Sequence, residues 1–192
     1  MHYAVDLHIH SALSPCSDDD MTPNNIVNMA ILKGLDFIAI TDHNSAGNLK
    51  PVIECAKGTN LVVVPGMEVE TAEEVHLICL LPALEAAISL QNIVYDALPD
   101  LKNRPDIFGK QLIMDEHDNI TMELDRLLIT ACSLTIEEVF RIVSGLGGVV
   151  IPAHVNRDSY SIISVLGLIP GNLGIRYVEI LPGSFYEPPY GT

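Results

Sequence analysis

The sequence predicts an α/β protein built on a mainly parallel sheet with helices packed outside it. Two observations lead to this class. Short apolar segments alternate with segments of helical period along the chain, the order expected of strand–helix repeats. Histidines and acidic residues cluster just after the strand candidates, where folds of this class carry their chemistry.

The first strand candidate covers residues 3–9. Thr22 is then a candidate N-cap with Pro23 at the first helical position. Ile26, Met29, Ala30 and Lys33 recur at helical spacing until Gly34 supplies a stop. Residues 37–41 form an apolar strand, residues 46–57 a helix ended by Gly58, and residues 61–65 a third strand. Strand segments follow at 68–71 and 75–81, then a helix over 82–98. The stretch 99–134 breaks this rhythm. It holds Pro105, Gly109 and the polar cluster 115–119, and it reads as an insertion made of a hairpin and a short helix. Thr135 opens the next helix, with Glu138 three residues on as a capping box. Residues 147–152 lead into another strand, 161–168 into a helix, and 176–181 form a last strand. No repeat, low-complexity tract or linker divides the chain, so residues 1–192 read as one domain carrying an insertion.

Hydrophobic residues make up 48% of the chain, a globular composition rather than a disordered one. The longest apolar runs, such as 61–64 and 78–81, fall far below the roughly 20 residues that a membrane span needs. The N-terminus lacks the basic-then-apolar pattern of a signal peptide, and a cytoplasmic location is expected. Ten basic and 25 acidic residues give a net charge of −15. Such a chain is a poor non-specific binder of nucleic-acid backbones, whereas its carboxylates suit a site holding several divalent cations. Cys16, Cys55, Cys79 and Cys132 form no C-x-x-C pair. Cys55 and Cys79 stand among apolar neighbours and read as buried, and disulfides are not expected in a cytoplasmic protein.

The polar residues that follow the strands are chemically coherent. Asp6, His8 and His10 alternate along one strand and so face the same way. Two imidazoles at that spacing can share one metal ion at about 2.0–2.1 Å per Zn–N bond. Thr41-Asp42-His43 ends the second strand, Gly66-Met67-Glu68 follows the third, Val75-His76 ends the next, and Ala153-His154 follows the strand at 149–152. One histidine after a strand is more often a hydrogen-bonded loop residue than a ligand. Histidines at five such positions, with Glu68 among them, make a metal site the better reading. His2 and His117 lie outside the pattern and read as surface residues.

The motifs Asp6-Leu7-His8-Ile9-His10-Ser11, Thr41-Asp42-His43, Pro65-Gly66-Met67-Glu68 and Pro152-Ala153-His154 occur in this order. They resemble the successive motifs of the PHP (polymerase and histidinol phosphatase) family, and the resemblance runs over essentially the whole chain. It implies a distorted TIM-like (β/α)7 barrel with two or three divalent metal ions at its C-terminal mouth, and phosphoester hydrolysis as the usual activity. It also implies ligand roles. His8 and His10 would hold the first metal, Glu68 would bridge the first and second, and His76 and His154 would complete the second. His43 and an acidic residue of the 17–20 loop would hold a third. Asp18 is favoured there for its spacing of four residues before Thr22, with Asp19, Asp20 and Cys16 as alternatives.

The chain departs from the family at one point. A further Asp-x-His motif is expected near the end, and none follows His154. The barrel is accordingly expected to be incomplete at the C-terminus. Either Glu179 and Glu187 stand in for the missing ligands, or a longer native chain supplies them. An open barrel would expose a sheet edge, which self-association into a homo-oligomer would cover.

The expected reaction is hydrolysis of a small phosphate ester, a nucleotide or other phosphomonoester, by water activated between divalent ions about 3.5–4 Å apart. Zinc, manganese and iron all suit His-plus-carboxylate ligation. Two candidate catalytic residues stand beside the ligands: Asp42, to orient His43 or the water, and Arg157, to grip phosphate. Two other readings compete. The missing motif suggests a catalytically impaired metal-binding module. A nuclease acting on oligonucleotide ends would need a basic groove, for which ten Lys and Arg residues offer little. No G-x-S-x-G elbow points to a metal-free hydrolase.

Overall fold

The computed structural model describes residues 2–183; Glu187 lies outside the described residues. In chain order its elements are β1 (Val5–Ile9), α1 (Pro23–Leu32), β2 (Phe37–Ile40), α2 (Leu49–Ala56), β3 (Val62–Glu70), β4 (His76–Leu80), α3 (Leu84–Ala97), α4 (Pro105–Phe108), β5 (Leu112–Met114), β6 (Ile120–Glu123), α5 (Ile136–Gly145), β7 (Val149–Pro152) and α6 (Ile162–Leu166). Local signals set many of these boundaries. Thr22 accepts a hydrogen bond from Asn25 N, and Pro23 opens α1. Gly34 follows its end at φ +69°, a left-handed conformation that glycine adopts without steric cost. Thr135 and Glu138 form the reciprocal capping box of α5.

The main sheet has the order β1-β2-β3-β4-β7. The first three strands are parallel. β4 is antiparallel to both β3 and β7, so it alone is reversed. The sheet is therefore less parallel than the alternation of elements suggests. The cause is the link over residues 71–75, which is long enough for a hairpin but too short for the crossover that a parallel pair requires. The reversal also corrects the place of His76, which opens a strand instead of ending one. Because β4 runs backwards, its start still lies at the rim where its neighbours end, and His76 pairs with Glu70.

Two further differences concern strands. Segments 61–65 and 68–71 are one continuous strand, β3. Gly66 sits mid-strand because β2 comes very close: a Cβ there would lie 2.8 Å from Thr41 Cγ2 and 2.9 Å from Ile40 O. Residues 176–181 are not a strand. Their backbone meets the β7 end through Glu179 N to Pro152 O (3.0 Å) and Val155 N to Glu179 O (2.9 Å). The Asn156 side chain then takes both the N–H and the C=O of Leu181, so no ladder continues.

Ile38, Ile40, Met67, Val69, Leu77 and Cys79 of the sheet pack in one core with Leu49, Val52, Leu90, Val139 and Val143 of the helices. Cys55 is only half-buried, at the margin of α2. The 99–134 stretch contains α4 and the β5–β6 hairpin. It is pinned by the fully buried Gln111, which donates to Leu124 O and Arg126 O and accepts from Leu128 N. No helix among the described residues is long and apolar enough to cross a membrane. The sheet curls strongly. The rings of His8, on edge strand β1, and His154, just past edge strand β7, stack with centroids 6.1 Å apart.

Candidate metal centre

Glu68 lies at the focus of that curl. Main-chain bonds from Glu68 N to Asp42 O (3.1 Å) and from Asn44 N to Glu68 O (2.8 Å) extend the β2–β3 pairing past Ile40 and set His43 beside it. The Glu68 carboxylate is 1% exposed, and five imidazoles face it. Oε1 is 3.0 Å from His76 Nδ1, 3.3 Å from His8 Nε2 and 3.5 Å from His154 Nε2. Oε2 is 3.0 Å from His10 Nε2 and 3.2 Å from His43 Nδ1. The structure thus gathers His8, His10, His43, Glu68, His76 and His154, drawn from all five strands of the main sheet and the loops that follow them, into one cluster. His2 and His117 are exposed and apart from it.

The electrostatics follow from this crowding. Burial pulls His8 down, but hydrogen bonds to Glu179 and Glu68 outweigh it and push its pKa up to about 9. Burial also opposes protonation of His10, yet Cys16 and Glu68 push it up to about 10. His43 is driven the other way, to about 3, by burial, with Glu68 opposing. Burial would raise Glu68, but hydrogen bonds from His10, His154, His76 and His8 hold it well below the usual carboxylate range.

These residues fit divalent cations. His8 Nε2 and His10 Nε2 approach to 3.2 Å. Two nitrogens on one tetrahedral ion at about 2.0–2.1 Å each lie about 3.3–3.4 Å apart. The buried atoms His43 Nδ1, His76 Nε2 and His154 Nδ1 have no hydrogen-bond partner. Of these, His43 Nδ1 faces Glu68, whereas His76 and His154 turn their other ring nitrogens to it; a carboxylate has two oxygens and about four acceptor sites, too few to satisfy five imidazoles at once. Three groupings place their ligand atoms within 4.8 Å of one another: His8-His10-Glu68, His43-Glu68-His76 and His10-Cys16-His43.

The remaining sequence candidates are placed as follows. Asp18 does not line the cluster. Its carboxylate accepts Asp20 N, and with Asp6 and Asp20 it borders a separate groove of about 610 Å³. Cys16, one of the alternatives to Asp18, lines the cavity over the cluster, with Sγ 3.3 Å from His10 Nδ1. The loop turns at Ser14 and Ser17 before the acidic run, through Ser14 N to Ser11 O and Ser17 N to Ser14 O, and this turn carries Asp18 past the site. Asp42 does not touch the His43 ring. It is buried and accepts Ser11 N, Ser11 Oγ and Ser14 Oγ at 2.6–2.7 Å. Ser14 Oγ in turn accepts His43 N at 3.0 Å, so Asp42 is tied to the His43 backbone through the Ser14 hydroxyl. Arg157 is exposed at the mouth, its guanidinium 6.0 Å from the Tyr160 ring centroid.

Three residues at the site carry roles that the motifs do not reveal. Glu70 is buried with Oε2 3.8 Å from His76 Nε2. Its spacing of two from Glu68 on one strand was the available signal. Tyr160 stacks on His76 with centroids 4.9 Å apart, and its carbonyl accepts His76 N; no sequence pattern marks it. Glu179, expected as a substitute ligand, lies behind His8, with Oε1 and Oε2 2.9 and 3.0 Å from Nδ1. Asn44, His154 and Tyr160 hold φ of 50°, 32° and 57°, a left-handed conformation that costs a non-glycine residue about 1–2 kcal/mol. Among the described residues these are three of the five non-glycine residues with positive φ, the others being Glu74 and Asp118 in turns; such strain is common where function fixes geometry.

Comparison with known proteins supplies context. Residues 6–132 match the family model described as PHP domain. An uncharacterised protein of Methanocaldococcus jannaschii is 28% identical over 152 residues, covering 78% of this chain and 16% of that protein. The 5′-3′ exoribonuclease Rnm of Escherichia coli is 36% identical over 79 residues, covering 39% of this chain and 26% of that protein. The chain therefore spans about a quarter or less of the curated relatives it matches. Among solved structures, a Bifidobacterium adolescentis protein described as a metal-dependent phosphoesterase aligns at TM-score 0.61 and 20% identity, over 92% of this chain and 77% of that one. The lesion-specific endonuclease PfuEndoQ of Pyrococcus furiosus aligns at TM-score 0.66 and 19% identity, over 96% and 43%. These structural likenesses establish the fold, a barrel that is incomplete among the residues described here.

Proposed function

This chain belongs to the PHP domain family, and from that premise we propose that it is a metal-dependent phosphoesterase acting on a small phosphate ester. The observation that carries the proposal is the Glu68 carboxylate with five imidazole nitrogens within 3.5 Å. His8, His10, His43, Glu68, His76 and His154 would hold two or three ions of zinc, manganese or iron, with Cys16 at the edge of the set. Such ions supply charge for a phosphate and acidify water toward a pKa of about 7. The protein's part is to fix the ligands, exclude bulk solvent and grip the substrate. Arg157, at the mouth, has the fork geometry that suits phosphate oxygens.

A small substrate is preferred for two reasons. The cavity over the cluster is about 240 Å³, and Arg157 is the one Lys or Arg among the described residues that line it. A nucleic-acid track would call for several. The nuclease reading is kept because part of the chain is similar to an exoribonuclease. We place the protein in the cytoplasm, where its four cysteines remain thiols.

The test is a hydrolysis screen with added manganese or zinc against small phosphomonoesters, nucleotides and 5′-phosphorylated oligonucleotides, beside elemental analysis. The wild type is expected to bind two or three ions per chain and to release phosphate from small esters. Glu68→Gln is expected to lose both. Cleavage of oligonucleotides alone would transfer the assignment to the nuclease. Tight metal binding with no turnover of any substrate would reduce the chain to a metal-binding module.

A further inference from the structure

We infer that Glu179 is the positioning residue that joins the two edges of the curled sheet at the metal site. The inference rests on the metal-site reading above and extends it to a residue outside the ligand set. β1 and β7 are the edge strands, and among the described residues no backbone pairing links them. Glu179 touches the ligand histidines of both. Its carboxylate takes His8 Nδ1 through Oε1 at 2.9 Å and Oε2 at 3.0 Å. Oε2 also accepts the main-chain N–H of His154 at 2.8 Å. The Glu179 backbone is itself fixed on both sides, its N–H on Pro152 O and its C=O on Val155 N. The carboxylate is thus held by the β7 end and reaches across to β1.

Two consequences follow from the chemistry. An acceptor on Nδ1 fixes His8 with its proton on that nitrogen, which leaves the Nε2 lone pair directed at Glu68 and His10, where a cation would sit. The bond to His154 N holds that residue at φ +32°, a conformation with an intrinsic cost that a neighbouring structure must offset. One carboxylate therefore sets the ring of one ligand and the backbone of another. Direct ligation is the competing role, and the geometry separates the two: Glu179 meets the ring nitrogen of His8 that points away from the cluster.

The experiment is titration of metal-free wild type, Glu179→Ala and Glu179→Gln with zinc and cobalt, with circular dichroism as a check on folding. Loss of an outer carboxylate that orients a ligand typically weakens metal binding about 10–100-fold, and that is the expected result for Glu179→Ala. Glutamine keeps an oxygen that can accept the same two protons. Glu179→Gln should therefore bind within about tenfold of wild type and give the wild-type visible spectrum at saturating cobalt. Wild-type affinity in a folded Glu179→Ala overturns the inference. So does a Glu179→Gln protein that binds as weakly as the alanine variant or shows a shifted cobalt spectrum, because Glu179 would then be a ligand. If Glu179→Ala does not fold, the glutamine variant decides alone by the same criteria. Failure of the wild type to bind any metal would instead remove the metal-site reading on which the inference stands.

Discussion

Glu68 and the five imidazoles around it cannot all carry protons, and this competition sets the behaviour of the metal-free site. His8 and His10 are raised to about 9 and 10 against about 6.5 in an unfolded chain. A raised folded value stabilises the fold fully below the unfolded pKa and loses that effect as pH rises through the folded one. Metal-free protein should therefore lose thermal stability between about pH 7 and 10 from this pair, measured as melting temperature in chelator across that range. Cations require the neutral imidazole. Binding at pH 7 should release protons from His8 and His10, and metal affinity should rise by up to about tenfold per pH unit for each proton released. An affinity that stays flat from pH 6 to 8 would contradict the assigned protonation. The His8–His10 pair was legible from its spacing of two on a strand. The offset from Thr22 that favours Asp18 does not register that the loop turns at Ser14 and Ser17 before the acidic run, which leaves Asp18 bordering a separate groove.

At the scale of elements, β3 carries the most constraint. It is central in the sheet, it brings Glu68 to the cluster, and its Gly66 leaves no room for a side chain. Gly66→Ala would push a methyl against Thr41 Cγ2 and Ile40 O. Overpacking of this kind costs about 1–3 kcal/mol, readable as a lower urea midpoint with unchanged slope. Because Glu68 lies two residues on, metal affinity should fall as well. The capping box of α5 is a purely local counterpart. Thr135→Ala removes the acceptor for Glu138 N, at a cost of about 1 kcal/mol, and should leave metal binding intact. Elements of this second kind were readable from sequence, since Thr135 and Glu138 are neighbours on one turn. The reversal of β4 was not. It depends on the short 71–75 link closing against β3, whereas periodicity reports that a strand exists and not which way it runs.

At the scale of the whole molecule, the cluster draws on both ends of the described chain, from His8 to Glu179, so occupancy and folding should be coupled. A free ion at 100 times its dissociation constant stabilises the folded state by about 2.7 kcal/mol, which for a chain of this size corresponds to about 5–10 °C in melting temperature. Added zinc or manganese should raise the melting temperature by that amount, and chelation should reverse it; an unchanged transition would count against a site that spans the sheet. The sequence by itself determined the alternation of strands and helices, the caps at Thr22 and Thr135, and the identity of six residues that come together. Each of these is written in neighbouring residues, through a period of two or 3.6 or the chemistry of one turn. Only the tertiary structure decided that five imidazoles converge on one carboxylate, that Cys16 and not Asp18 faces His10, and that Glu179 stands behind His8 across 171 positions. Those contacts arise where the sheet curls its two edges together, and curvature is a property of packed strands that no local pattern encodes.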